Sequence, residues 1–324
     1  MPSAICTLFE GHYHYGLAAL ANSLYKEGFR GSIYVGFRGD IPPWASAAKN
    51  NPALQWRDAS TLEVADGMQL HFLPVDTDYH LTNYKPDFML KLWDGPAADA
   101  KRMFYFDPDI VVVRSWLLFE EWVTCGVALS EDVNSPLSKN HPRRVAWRRY
   151  FGSKGIPLNF RDIIYVNGGF IGLSLANRSF LDLWKKVQET MAPFIGGLNR
   201  SIFKADHLAL LEEAGGPFSP FVKTDQDALN ATVEAWDDEV SFISKEGMGF
   251  ESGFILMYHA LGDPKPWRWK PMRSALDGRP PRMVDIQFWN SVSGPIVAKS
   301  EKEVYWHKFA IKMTAGIGRF YKRN

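Results

Sequence analysis

Arg102–Val113 reads RMFYFDPDIVVV, an apolar run, then Asp-Pro-Asp, then a second apolar run. Two carboxylates stand between segments whose side chains favour burial, and a carboxylate buried without a partner costs several kcal/mol. The stretch is therefore either a turn with its acids in water or a rigid pair of oxygen ligands around a cation. Pro108 fixes φ and stiffens the pair. The chain holds two other Asp-x-Asp triplets, Asp76-Thr-Asp78 and Asp225-Gln-Asp227. Only Asp107-Pro-Asp109 sits at the carboxyl end of a strongly apolar candidate strand, which is where open parallel sheets bind ligands. Hard carboxylate oxygens suit Mg²⁺ or Mn²⁺. Taken alone, these residues leave the metal site and the solvated turn equally open.

Working outward, Ala4–Phe9 reads as a buried strand, Leu17–Tyr25 as a helix closed by Gly28, and Gly31–Phe37 as a second strand. Strand, helix and strand at this spacing make a βαβ unit and a parallel sheet. Leu54–Ala59 and Met68–Pro74 are further candidate strands. Lys85–Trp93 reads as a helix, Cys125–Ser130 as a strand, and Asp162–Ser174 as a strand carrying the Gly168-Gly169 pair. In Ser179–Met191, Leu181, Trp184, Val187 and Met191 share one helical face. Thr224 is placed to cap a helix running to Trp236, with Asp227 as an exposed first-turn acid. Asp76-Thr-Asp78 reads as a solvated loop before the Lys85 helix. The whole predicts one α/β domain with a mixed, mostly parallel sheet flanked by helices and an elaborated C-terminal part.

Composition narrows the function. The 324 residues are 46% hydrophobic and carry a net charge of +1, so no global field recruits nucleic acid. Cys6 and Cys125 lie far apart without metal-ligand spacing, which fits a reducing compartment. No basic, apolar leader opens the chain, and no apolar run reaches the ~20 residues of a membrane span. The expectation is a cytoplasmic protein. Twelve Trp and 22 Phe fill a core, or offer faces on which sugars and bases stack.

Two further stretches favour the cation. His259–Lys270, HALGDPKPWRWK, is forced into a loop by Gly262, Pro264 and Pro266, and it carries the chemistry for a metal, a phosphate and a ring face. In IIYVNGGFIG, the glycine pair lets a partner approach the backbone, and Asn167 offers both a donor and an acceptor.

These stretches resemble, in order, the motifs of the GT-A-fold glycosyltransferases, and specifically of glycosyltransferase family 8. Phe9–Leu24, FEGHYHYGLAALANSL, resembles the family's nucleotide-base segment. Phe104–Val112 resembles its strand and metal-binding Asp-x-Asp, and Val166–Leu173, VNGGFIGL, its Asn-x-Gly acceptor strand. Thr224–Ala231, TDQDALNA, resembles its Asp-Gln-Asp helix start, and His259–Trp267, HALGDPKPW, its closing loop. The Asp-x-Asp is common to the fold, whereas the closing loop is much more specific. Residues after Trp267 lie outside the resemblance.

The resemblance implies a GT-A (Rossmann-like) fold and a role for each residue. Asp107, Asp109 and His259 would bind Mn²⁺ or Mg²⁺, and the ion would hold the diphosphate of a nucleotide sugar, a UDP-sugar by preference. Glu10 stands where the family often has an Asp facing the base, and Tyr13 would stack on that base. Lys265 would contact the diphosphate, with Gly262 allowing close approach. Lys85 is a second basic candidate, and Gly168 a point of close backbone approach. Asp132, in ALSEDV, aligns with a sugar-binding acid. Asn167, Asp225 and Gln226 would line the sugar and acceptor site. Breaking a sugar–phosphate bond leaves a diphosphate with extra negative charge, which a divalent ion and a lysine stabilise. The family retains anomeric configuration. Gln226 is nearest the nucleophile position, and since an amide is a poor nucleophile, same-face attack is the expected course. The acceptor would be a glycan, a lipid-linked glycan or another hydroxyl. The competing functions are a sugar-nucleotide nucleotidyltransferase, which needs a Gly-rich basic N-terminal loop that EGHYHYG does not supply, and a non-catalytic sugar-nucleotide-binding scaffold.

The chain divides at 298 into this domain and a tail, 299–324. From Val304 onward the tail has five Lys or Arg and no acid, with Trp306, Phe309, Met313, Ile317 and Phe320 at helical spacing. It reads either as a helix docked on the body or as a peripheral attachment to an anionic membrane.

Overall fold

The computed structural model describes residues 2–201 and 219–317. At its centre is a sheet of nine strands. These are β1 (Ser3–Glu10), β2 (Gly31–Arg38), β3 (Lys49–Asn50), β4 (Ser60–Ala65), β5 (Met68–Pro74), β6 (Arg102–Phe106), β8 (Val127–Ser130), β9 (Phe170–Ser174) and β10 (Val240–Ile243). Their order across the sheet is β10-β8-β9-β6-β1-β2-β5-β4-β3. β4 and β9 run against the other seven, so the sheet is mixed and mostly parallel.

Side chains alternate across this sheet as the two-residue period demands. From β1, Ala4, Cys6 and Leu8 enter one core, and Ile5 and Phe9 enter the other. From β6, Met103 and Tyr105 join the first core, and Phe104 and Phe106 the second. Helix α1 (His14–Lys26) covers the second core through Leu17, Leu20 and Leu24. Helices α2 (Lys85–Trp93), α5 (Ser179–Ile195) and α6 (Thr224–Ala235) cover the opposite face. The predicted face of α5 is buried throughout, with Leu181, Trp184, Val187 and Met191 all at 0% exposure.

Outside the sheet, β7 (Ile110–Val112) pairs antiparallel with β11 (Met257–His259). This small ribbon sets His259 opposite Ile110, beside the acid pair, and Ala260 N donates to Asp109 O at 3.1 Å. Three further helices follow among the described residues: α7 (Pro271–Leu276), α8 (Met283–Ser291) and α9 (Glu301–Ile317). Asn22 of α1 ties this part to the body, donating to Ser291 O and Ile296 O at 2.9 Å each and accepting from Ile296 N at 2.8 Å.

Two sequence expectations need correction. Leu54–Ala59 is not a strand. Asn51 accepts from Ala53 N at the head of a 3₁₀ turn, and Gln55 and Asp58 adopt φ of 52° and 55°, which no strand tolerates. The strand begins at Ser60. Thr224 is not a cap either. It is the first helical residue, and its buried hydroxyl has no hydrogen-bond partner among the described residues.

The tail is helical through Ile317 despite Gly316. Val304 and Ile311 pack with Trp267, Trp269, Phe288 and Trp289, so the described part of the tail is docked on the body. Trp306, Phe309 and Met313 face outward, at 54%, 46% and 49% exposure. Phe320 and the side chain of Ile317 lie outside the described residues.

Candidate active site

The acid pair is built by a tight turn at the carboxyl end of β6. Asp107 N donates to Gly169 O at 2.7 Å, and Ile110 N donates to Asp107 O at 3.1 Å. Asp109 is buried and the Asp107 side chain is about a fifth exposed. Helix α1 passes close beneath Pro108. A Cβ on Gly16 would stand 2.3 Å from Pro108 O and 2.9 Å from the Trp267 ring, so only glycine fits. Sequence reasoning missed Gly16, which nothing in its local pattern distinguishes from an ordinary helical glycine.

Asp107, Asp109 and His259 each offer one ligand atom, and these atoms lie within 4.8 Å of one another. His259 Nε2 is 3.3 Å from Asp109 Oδ1 and 3.9 Å from Asp107 Oδ2. Neighbouring ligands of an octahedral Mg²⁺-like ion stand about 3 Å apart, so a small contraction would complete such a set. His259 Nδ1 is buried with no hydrogen-bond partner among the described residues. The donor set of two carboxylates and an imidazole fits a divalent ion with open positions for substrate oxygens.

Two lysines balance the carboxylates. Lys85, 1% exposed, lies 3.0 Å from Asp107 Oδ1 and 3.7 Å from Asp225 Oδ2, and donates to Gly168 O at 2.7 Å. Tyr105 Oη also donates to Asp107 Oδ1, at 2.8 Å, leaving Oδ2 to face His259. Lys265 Nζ lies 2.6 Å from Asp109 Oδ2 and 2.7 Å from Ala260 O. Burial works to raise the pKa of Asp109, but His259 and Lys265 outweigh it and hold the carboxyl below the usual range. Burial likewise works against the charged form of both lysines, and their acid partners outweigh it, raising both. Asp225 is pushed up by burial, which Lys85 opposes and Asp107 reinforces.

A cleft of about 890 Å³ opens along the carboxyl edge of the sheet. Of the sequence-predicted residues, Asp107, Asp109, His259, Glu10, Tyr13, Gly168, Gly262, Lys265, Asp132, Asn167, Asp225 and Gln226 line it, while Lys85 stands behind the wall. Glu10 is exposed and lies 3.9 Å from Arg38. The Tyr13 ring meets Trp267 edge-on with centroids 5.4 Å apart. Asn167 Nδ2 donates to Asp132 Oδ2 at 2.6 Å, and Asn167 Oδ1 accepts from Gly169 N at 2.8 Å. Gln226 Oε1 accepts from Gly168 N at 3.2 Å, and its buried Nε2 has no hydrogen-bond partner among the described residues.

Gly262 has φ of +69°, which its turn requires, and open space around it. Both glycines of the Gly168-Gly169 pair are closely approached, Gly169 the more so. A Cβ on Gly169 would stand 2.6 Å from the His259 ring and 3.0 Å from Asp107 Oδ2, against 3.3 Å to Asp225 Oδ2 at Gly168. The cleft wall also includes Arg38, Asp78, His80, Thr82, Asn134 and Lys223. Asp78 is solvated, as read from the sequence, yet it stands on this wall. The triplet's spacing carried no sign of that.

Asp227 departs most from expectation. It is fully buried rather than exposed. Its Oδ1 accepts from Tyr165 Oη at 2.7 Å, its Oδ2 accepts from Lys223 N at 2.6 Å, and Arg143 lies 3.6 Å away. It thus caps the helix that carries Asp225 and Gln226. Burial raises its pKa to about 7, more than Arg143 and its hydrogen bonds lower it. The folded state then holds a proton that the unfolded chain releases near pH 4, so stability falls as pH rises from about 4 to about 7. In Asp227→Asn this loss disappears. Its unfolding free energy gains on the parent by about 1.4 kcal/mol per pH unit in that window, read by urea titration. Parallel curves for the two proteins would contradict the assignment.

No protein-family model matches the chain, and no curated protein does. Solved structures do. The apo structure of the bifunctional glycosyltransferase WbbM superposes with a TM-score of 0.50 at 13% identity, over 95% of this chain and 52% of that one. The galactosyltransferase LgtC, in complex with donor and acceptor sugar analogues, gives 0.48 at 16% identity, over 94% and 99%. The glycosyltransferase GlyE of Streptococcus pneumoniae TIGR4 gives 0.47 at 15% identity, over 97% and 64%. The chain spans about half the length of WbbM, and at that identity the likeness is one of fold.

Proposed function

We propose that this protein is a metal-dependent glycosyltransferase, moving a hexose from a nucleotide diphosphate sugar, a UDP-sugar by preference, to a hydroxyl of a glycan or glycolipid. The observation that carries the reading is the convergence of Asp107, Asp109 and His259 beside Lys265, on the wall of a cleft at the carboxyl edge of the sheet. Mn²⁺ or Mg²⁺ held there would neutralise charge building on the departing diphosphate. Lys85 and Tyr105 hold Asp107 in place from behind, and Lys265 binds the diphosphate. Glu10, beside Arg38, and Tyr13, whose ring centroid lies 5.7 Å from the Lys265 ammonium, bind the base.

Retention is the proposed stereochemistry, as in the family the motifs resemble. Among the described residues, neither acid flanking Gln226 is free to act as nucleophile, since Asp225 is paired with Lys85 and Asp227 is enclosed by Tyr165 and Lys223. The Gln226 amide, whose Nε2 has no hydrogen-bond partner among the described residues, is suited to hold the sugar. Asn167 and Asp132 position the sugar hydroxyls. The acceptor oxygen then attacks the anomeric carbon on the face the diphosphate leaves, and its proton passes to the departing phosphate oxygen.

Thermal unfolding with UDP, GDP, ADP and TDP, each with and without Mn²⁺, tests the reading, followed by diphosphate release from the matching nucleotide sugars. UDP at a hundredfold its Kd adds about 2.7 kcal/mol, only with Mn²⁺ present, and Asp109→Asn abolishes the effect. A response to no nucleotide would contradict the proposal. Stabilisation without turnover on any acceptor would favour the non-catalytic reading instead.

Residues 1–298 are proposed as the transferase body and 299–324 as its attachment to an anionic membrane. Supporting this, Trp306, Phe309 and Met313 on α9 and Met272 and Leu276 on α7 are all exposed, next to Lys308 and Lys312. Among the described residues no helix is long and apolar enough to cross a membrane. The paired change Trp306→Ala, Phe309→Ala in the full chain is expected to weaken sedimentation with phosphatidylglycerol vesicles at least about tenfold. Equal binding would remove the membrane from the account.

A further inference from the structure

The two lysines beside the acid pair are not equivalent. Lys85 is 1% exposed, does not line the cleft, and is held by Asp107, Asp225 and Gly168 O together. It is a permanent part of the wall. Lys265 stands on the cleft side of the acids and holds only one carboxylate oxygen, Asp109 Oδ2, with one backbone carbonyl. Its backbone is anchored from both directions. Trp267 Nε1 donates to His12 Nδ1 at 2.8 Å, Trp289 Nε1 donates to Pro266 O at 3.2 Å, and Arg282 donates to Leu261 O and Pro264 O. What can move is the side chain.

We infer that Lys265 is an exchangeable counter-cation of the metal acids: with the nucleotide absent its ammonium occupies Asp109, and an arriving diphosphate draws it away, so metal and nucleotide bind with mutual cooperativity. This rests on the metal-dependent reading above and adds a coupling to it. A divalent ion taking Asp109 must share that carboxylate with an ammonium already 2.6 Å from it, and like charges in a buried site repel strongly. The diphosphate supplies Lys265 with another anionic partner on the same side of the cleft. Once the ammonium turns to it, the whole of Asp109 is open to the ion. Linkage then requires that the nucleotide raise metal affinity by the same factor as metal raises nucleotide affinity.

The test is Mn²⁺ titration of the full chain, followed by the electron paramagnetic resonance of free Mn²⁺, with and without UDP. Wild type, Lys265→Gln and the charge-preserving Lys265→Arg are compared. Without UDP, Lys265→Gln binds Mn²⁺ about tenfold or more tightly than wild type, while Lys265→Arg stays near wild type. The enhancement of Mn²⁺ affinity by UDP is large in wild type and smaller in Lys265→Gln. Equal or weaker Mn²⁺ binding by Lys265→Gln without UDP would overturn the inference and leave the metal site standing. So would independent binding of Mn²⁺ and UDP to wild type, a result that needs no variant to fold. Failure of wild type to bind Mn²⁺ even with UDP would overturn the metal-dependent reading and the inference with it.

Discussion

Two carboxylates at the end of a buried strand can stay charged because two lysines answer them. Asp107 faces Lys85 and Asp109 faces Lys265, each pair within 3.0 Å. Removing one partner of such a buried pair costs roughly 3–5 kcal/mol, so the surrounding chain is committed to delivering all four groups. Lys85 arrives on the first turn of α2, and Lys265 arrives on the loop after β11. The β7–β11 ribbon brings His259 to the same spot. Glycine at 16 and 169 gives the turn its room, since a Cβ at either position would collide with it.

The charge arrangement also separates support from access. Lys85, Tyr105 and Gly168 O form a fixed rear wall that leaves Asp107 Oδ2 toward His259. On the cleft side Asp132 and Asn167 are buried and hydrogen-bonded to each other, whereas Glu10 and Gly262 face solvent and Lys265 is tied by few bonds. Under the proposed function this asymmetry matters, because a fully satisfied cleft would have nothing to offer a charged ligand.

Much of this was legible in the chain. The alternating apolar runs gave the central strands, and Lys85–Trp93 was bounded as the helix is found. Asp107, Asp109 and His259 were read as one group although 150 residues of chain separate the histidine from its acids, and they stand within 4.8 Å. The failures share a cause. Asp227 looked like a surface acid because first-turn acids usually are. Only the tertiary placement of Tyr165 and Arg143 against α6 buries it. Leu54–Ala59 looked like a strand because its left-handed Gln55 and Asp58 carry no glycine to announce the turn. Gly16 could not be told from other helical glycines, since what it makes room for comes from distant parts of the chain.

The most direct test of the central claim is a crystal structure grown with Mn²⁺ and UDP, with the metal located by its anomalous scattering. The account predicts one manganese roughly 2.0–2.3 Å from Asp107, Asp109 and His259, with diphosphate oxygens completing its shell and the Lys265 ammonium turned from Asp109 to the diphosphate. Manganese bound elsewhere, or Lys265 still seated on Asp109 with UDP in the cleft, would contradict it.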